Sequence, residues 1–255
     1  MSARGGAGRA GARGRRPARK TGAPQRDKAP QREKAPPHPG TRPAKTRPRD
    51  SAPENSATTP FRLGAIPGAT PGTWIDRWHE RMPQVELQLI PLATADQRRA
   101  LVERSVDAAL VRLPLDRDGL HAIALYDEVP VVVCASDSHL TAADELTLAD
   151  LAGELVITPR DDVLAVQVAG AVAPAFEQPA TTEEAVATVA TGVGVVVVPM
   201  SLARLHHRRD TAVRPLADGP VSTVALAWPI EATTPLVETF VGIVRGRTAN
   251  SSRSA

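Results

Sequence analysis

Val, Ile, Leu, Phe, Trp and Tyr are all missing before Phe61 in this 255-residue chain. The segment ahead of it is Ala, Arg, Gly, Pro, Lys and a few polar residues. Such a composition cannot bury enough apolar surface to offset the entropy of ordering a backbone, so residues 1–60 are predicted to form a disordered tail. The same absence excludes a secretory leader, because Arg15-Arg16 is followed by no apolar run. Cysteine is reduced to Cys134, which excludes an internal disulfide framework and a multi-cysteine metal site. No stretch approaches the roughly 18 uninterrupted apolar residues of a membrane span. A soluble, cytoplasmic protein is expected.

Charge is unevenly placed. Residues 1–55 carry 15 Lys/Arg against 4 Asp/Glu, a net +11, whereas the remainder carries 16 against 24, a net −8, so that the whole chain holds +3. The tail opens with "RGGAGRAGARGRRPARK", in which Arg13, Arg15, Arg16, Arg19 and Lys20 form the densest cationic run. A flexible chain of this charge binds nucleic acid without sequence preference and with strong salt dependence. The lack of aromatics there argues against base stacking. The alternative, a solubilising and charge-balancing extension, stays open.

From Phe61 onward the pattern alternates strand and helix. Strands are expected at 61–66, 85–92, 106–113, 155–158, 193–198 and 224–228, and "VPVVVCA" within 122–135 is long enough to bridge two domains. Val85, Leu87 and Leu89 alternate as an inward face. Helices are expected at 73–82, 94–104, 181–191, 201–206 and 236–245. Thr73 with Asp76, Thr94 with Gln97 and Thr181 with Glu184 have capping-box spacing. Three strands joined by short helices build a parallel sheet with right-handed crossovers.

Catalytic signals are weak. The glycines of "GAIPGATPGTW" fall at 64, 68 and 72, which is neither G-x-G-x-x-G nor a P-loop. What remains is a strand, a turn and a helix N-terminus with free N–H groups. No elbow-type Ser/His/Asp motif occurs, and His206-His207 reads as a polar helix end. The pairs Asp161-Asp162 and Glu183-Glu184 are adjacent in sequence and do not converge on one face. Cys134 reads as a small core residue. No catalytic residue, metal or cofactor is assigned, and no enzyme activity is expected.

Four motifs in order, "VERSVDAALVRL", "LTLADLAGELVI", "ATVATGVGVVVVPMSLA" and "VALAW", resemble the effector-binding (substrate-binding) domain of LysR-type transcriptional regulators across about residues 61–247. The resemblance implies an α/β, two-lobed type 2 periplasmic-binding-protein-like fold. One lobe would comprise 61–133 with 222–250, and the other 134–221. It also implies a cleft that takes a small, often anionic effector, and side-by-side dimers with itself or a related regulator. The family's winged helix-turn-helix is not found in residues 1–60, so sequence-specific DNA binding by this chain is not expected. The stretch between Thr158 and Thr181 is short for the second lobe.

Under that resemblance the first turn lines the cleft. Thr70 and Thr73 would donate hydroxyls, and Gly68 and Gly72 would permit close approach. Thr73 serving only as a helix cap is the alternative. Thr158 and Thr182 would face the same space, with capping the competing role at 181–182. Arg112 and Arg117, near the end of the third strand, are candidates for pairing a carboxylate or for ordinary solvated arginines.

Overall fold

The computed structural model describes residues 59–246; the tail, with Arg13, Arg15, Arg16, Arg19 and Lys20, lies outside the described residues. The chain runs β1 (Phe61–Ala65), α1 (Gly72–Arg81), β2 (Leu87–Pro91), α2 (Gln97–Val102) and β3 (Ala108–Arg112). β1 pairs in parallel with both β2 and β3, as the repeated strand–helix pattern requires. β4 (Leu120–Glu128) and β8 (Ser222–Pro229) complete a five-stranded sheet of order β2-β1-β3-β8-β4, with β8 antiparallel to both neighbours. α5 (Pro235–Val244) follows β8 and packs on α1.

β3 is buried along its whole length because both faces of this sheet are covered. Successive β3 residues divide between two cores. Ala108 and Leu110 meet Phe61, Trp78 and Phe240 of β1, α1 and α5. Ala109 and Val111 meet Ala100 and Leu101 of α2. The first core is aromatic: Phe61 stacks on Trp78 with centroids 4.6 Å apart. The Trp78 indole is fully buried, and its N–H donates to the Val85 carbonyl at 3.0 Å.

The chain leaves this sheet at Glu128 and enters a second one at Pro130. There β5 (Pro130–Ala135) lies between β6 (Val196–Pro199) and β7 (Thr211–Pro215), antiparallel to each. Val131 and Val133 pack with α3 (Thr182–Val189) and α4 (Met200–Leu205). Val132 and Cys134 face Leu140, Leu146 and Leu151 on the other side. Cys134 is fully buried, and that burial pushes its thiol pKa up. Among the described residues no helix is long and apolar enough to cross a membrane.

Several local expectations are corrected. Thr73 does not cap α1: the helix starts at Gly72, and the Trp74 and Ile75 amides both close on the Pro71 carbonyl, at 2.9 and 3.0 Å. Thr73 therefore sits inside the first turn. Thr94 opens a 3₁₀ turn without a side-chain cap, and Gln97 is turned inward instead. At Thr181 the cap forms without the reciprocal half of the box: its hydroxyl accepts from the Glu184 amide, while the Glu184 carboxylate accepts from the amide of Ala180, one residue before the cap. Leu89 is 47% exposed, because β2 is an edge strand. Residues 155–158 make only single-residue bridges, to Val172 and Val195. Between Thr158 and Thr181 the chain forms turns and bends without a helix.

Candidate functional site

Three segments line an open cavity of about 670 Å³. Gly68, Ala69 and Thr70 come from the turn after β1. Tyr126, Asp127, Glu128 and Val129 come from the passage between β4 and β5. Met200, Ser201, Arg204 and Leu205 come from α4. A volume of this order suits a small organic molecule.

Arg112 is anchored against this wall. One terminal nitrogen donates to Glu128 at 2.5 Å and to the Ser222 hydroxyl at 2.5 Å. The other donates to the Ser201 hydroxyl at 3.2 Å and the Pro67 carbonyl at 3.4 Å. The guanidinium thus connects the first turn, β4, β8 and α4, and so both sheets. Its Nε is buried without a partner. A cation this deep is stable only because a carboxylate neutralises it and hydrogen bonds satisfy most of its donors. The backbone of Arg112 is held by Gln97, whose side-chain oxygen accepts from the Arg112 amide at 2.9 Å and whose nitrogen donates to its carbonyl at 3.0 Å. Gln97 thus supplies the pairing of a missing strand neighbour at the end of β3.

Gly68 fits the first turn against α4. Its φ is +83°, and a Cβ there would lie 2.4 Å from the Ser201 hydroxyl. Only glycine satisfies both the left-handed backbone and the close approach.

The charged groups of the wall differ in their pairing. Glu128 is taken by Arg112. Asp127 accepts the Thr223 hydroxyl at 2.6 Å. Tyr126 has its phenol pKa raised, first by burial and then by the Glu128 carboxylate, with Arg112 opposing.

Of the residues singled out in the sequence, Gly68 and Thr70 line the cavity and Arg112 is bonded to two of its lining residues. Gly72 and Thr73 are exposed at the start of α1 and lie outside the lining. Thr158 borders a separate recess of about 10 Å³ beside Ile157 and Val197. Thr182 is buried, its hydroxyl donating to Asp161 at 2.9 Å. Arg117 is exposed. Tyr126, Asp127, Glu128, Ser201 and Arg204 were not foreseen. The nearest signal is the pair Asp127-Glu128 set directly before an apolar strand. Among the described residues no group of three or more His, Cys, Asp or Glu side chains is placed to hold a metal ion.

Comparison with known proteins gives the family of this two-sheet architecture. Residues 54–249 match the LysR substrate binding domain, and the chain belongs to that family. It is 31% identical over 170 residues to the HTH-type transcriptional regulator CatR of Pseudomonas putida, a match covering 63% of this chain and 58% of CatR. It is 27% identical over 223 residues to the Hca operon transcriptional activator HcaR of Escherichia coli, covering 81% of this chain and 73% of HcaR. The chain thus spans about three-fifths of CatR. Among solved structures, the reduced form of the OxyR regulatory domain from Pseudomonas aeruginosa superposes with a TM-score of 0.59 at 27% identity, covering 74% of this chain and 96% of that one.

Proposed function

We propose that this protein senses a small effector in the cavity beside Arg112 and acts in LysR-type transcriptional regulation, without catalysis. The observation that carries the reading is that the first turn and β4 of the five-stranded sheet wall the cavity together with α4, which packs on the second sheet, while two lining residues, Glu128 and Ser201, are tied to Arg112. An occupant that competes for either group alters the connection between the sheets, which converts binding into a change of shape. An anionic group on the effector would meet the Thr70 and Ser201 hydroxyls and Arg204, with Gly68 letting the turn approach α4. The changed shape would be passed on through a side-by-side pair, formed with a second copy or with a related regulator. A thermal-shift screen of the full chain against small carboxylates and amino acids tests this. A hit should raise Tm in the parent and be lost when Thr70→Trp fills the cavity. Binding unchanged in that variant would remove the cavity as the site.

A second reading rests on the net +11 of residues 1–55. That segment would bind DNA or RNA through its phosphates, led by Arg13, Arg15, Arg16, Arg19 and Lys20, with the folded body as an oligomerisation module. Mobility-shift measurements of the intact chain and of a form lacking residues 1–55 decide it. Equal binding by both, or none by the intact chain at moderate salt, ends this reading.

A further inference from the structure

Residues 59–128 with 222–246, and residues 129–221, keep separate cores. Phe61, Trp78 and Phe240 lie in a core of the first part, and Val131, Val186 and Leu202 in a core of the second. Among the described residues no hydrophobic cluster draws on both parts. Ion pairs divide in the same way. Arg62–Asp107, Arg98–Asp116 and Arg112–Glu128 lie within the first part, and Arg160–Glu177 and Arg208–Asp210 within the second. The chain crosses from one part to the other after Glu128 and returns before Ser222, and the rung between those two residues sets the crossings side by side. Two bodies with separate cores and adjacent crossings are free to turn about the crossings unless another contact holds them.

That contact is at Ser201. Among the described residues, the Arg112 guanidinium has Glu128, Ser222 and Pro67 as partners in its own part, and across the junction only the Ser201 hydroxyl, at 3.2 Å. Gly68 of the first turn lies so close to the same hydroxyl that no Cβ fits between them. We propose that Ser201 is the releasable end of a clasp. The protein exchanges between the clasped form described above and one in which α4 withdraws from the first turn, while Arg112 keeps Glu128, Ser222 and Pro67. The choice of bond makes the release easy. If the Arg112–Glu128 pair were the one to break, opening would strand a buried charge. A neutral hydroxyl that leaves Arg112 finds water instead, and the guanidinium stays neutralised. Gly68 and Ser201 both line the cavity, so release widens it, but the clasp does not depend on the cavity being the effector site.

Spin labels on Asp76→Cys in α1 and Glu183→Cys in α3 read the separation of the two parts in the full chain without ligand. Both positions are exposed, whereas Cys134 is fully buried and escapes labelling. Ser201→Ala should raise a second distance population about tenfold or more over the parent, the change expected when one hydrogen bond to a charged group is lost. Gly68→Ala, which wedges the turn away from α4, should raise the same population with the Ser201 hydroxyl still present. Thr182→Val breaks the bond to Asp161, 2.9 Å long and wholly within the second part, and should leave the parent distribution. Identical distributions in the parent and Ser201→Ala overturn the clasp, as does a Gly68→Ala distribution unlike that of Ser201→Ala. If Thr182→Val broadens the distances as much as Ser201→Ala, the change is general loosening and the clasp is again overturned. Effector binding lost or kept in Thr70→Trp judges the cavity separately, so either reading can fail alone.

Discussion

Arg112 and Glu128 hold their charged ends 2.5 Å apart, with 3% and 9% of their side chains exposed. Removing one partner strands the other as a buried, unpaired charge. Glu128→Ala should therefore cost about 3 kcal/mol or more of unfolding free energy. The double variant Arg112→Met/Glu128→Leu should cost less than the sum of Arg112→Met and Glu128→Leu, because it leaves no orphan charge. Urea denaturation of the four proteins supplies the cycle. Strict additivity would mean that the two groups do not depend on each other.

Gly68 meets Ser201 across the cavity wall, so Gly68→Ala carries two penalties. The positive φ costs about 1–2 kcal/mol for any residue with a Cβ. The contact at 2.4 Å to the Ser201 hydroxyl adds a clash that only movement of α4 or the turn relieves. Adding Ser201→Gly should recover the clash and leave the backbone cost. Equal stability of Gly68→Ala with and without Ser201→Gly would show that the contact carries no energy.

Gln97 is a buried amide whose two side-chain bonds both go to the Arg112 backbone. Gln97→Leu fills a similar volume but leaves a buried N–H and C=O unpaired. Each such group costs about 1–3 kcal/mol. A loss of at least 2 kcal/mol is expected on this basis, together with faster amide exchange at Arg112 than at Leu110. Protection at Arg112 that survives the substitution would contradict the assignment.

Tyr126 is the sole tyrosine of the chain, so absorbance near 295 nm follows it without interference. Its phenol should titrate above the ordinary value of about 10, because burial and the Glu128 carboxylate disfavour the phenolate. Its folded pKa is the higher one, so its contribution to stability is complete below the unfolded value and lost as pH rises through the folded one. Glu128→Gln removes the like charge and should move the titration down. A ligand that fills the cavity should move it up. An upward shift, or none, in Glu128→Gln would refute the electrostatic part of this account.

The sheet around β1 and β3 was legible because short strands of continuous or alternating apolar residues carry their own signal. β7 was not seen: Thr211–Pro215 is half-buried throughout, contains Arg214 and ends in proline, so neither period nor composition marks it. The capping expectations divide by local geometry. Thr181 has extended backbone and reaches Glu184, whereas at α1 the Pro71 carbonyl takes the first amides and displaces Thr73 from the role. The site was half legible. Arg112 stood out at a strand end, but its partners Glu128, Ser201 and Ser222 lie 16, 89 and 110 residues away. Only the folded chain brings them together, and no local pattern records such distances.

The last rung of the five-stranded sheet joins Glu128 to Ser222, immediately before the chain departs and immediately after it returns. Everything from 129 to 221 is therefore spliced into the rest through two adjacent points, about 5 Å apart as in any paired strands. A segment inserted in this way can be exchanged between relatives by recombination at two junctions, without rethreading the sheet that receives it. Of the side chains that Arg112 grips, Glu128 and Ser222 stay behind in the receiving sheet, and Ser201 is the one such a transplant must bring with it.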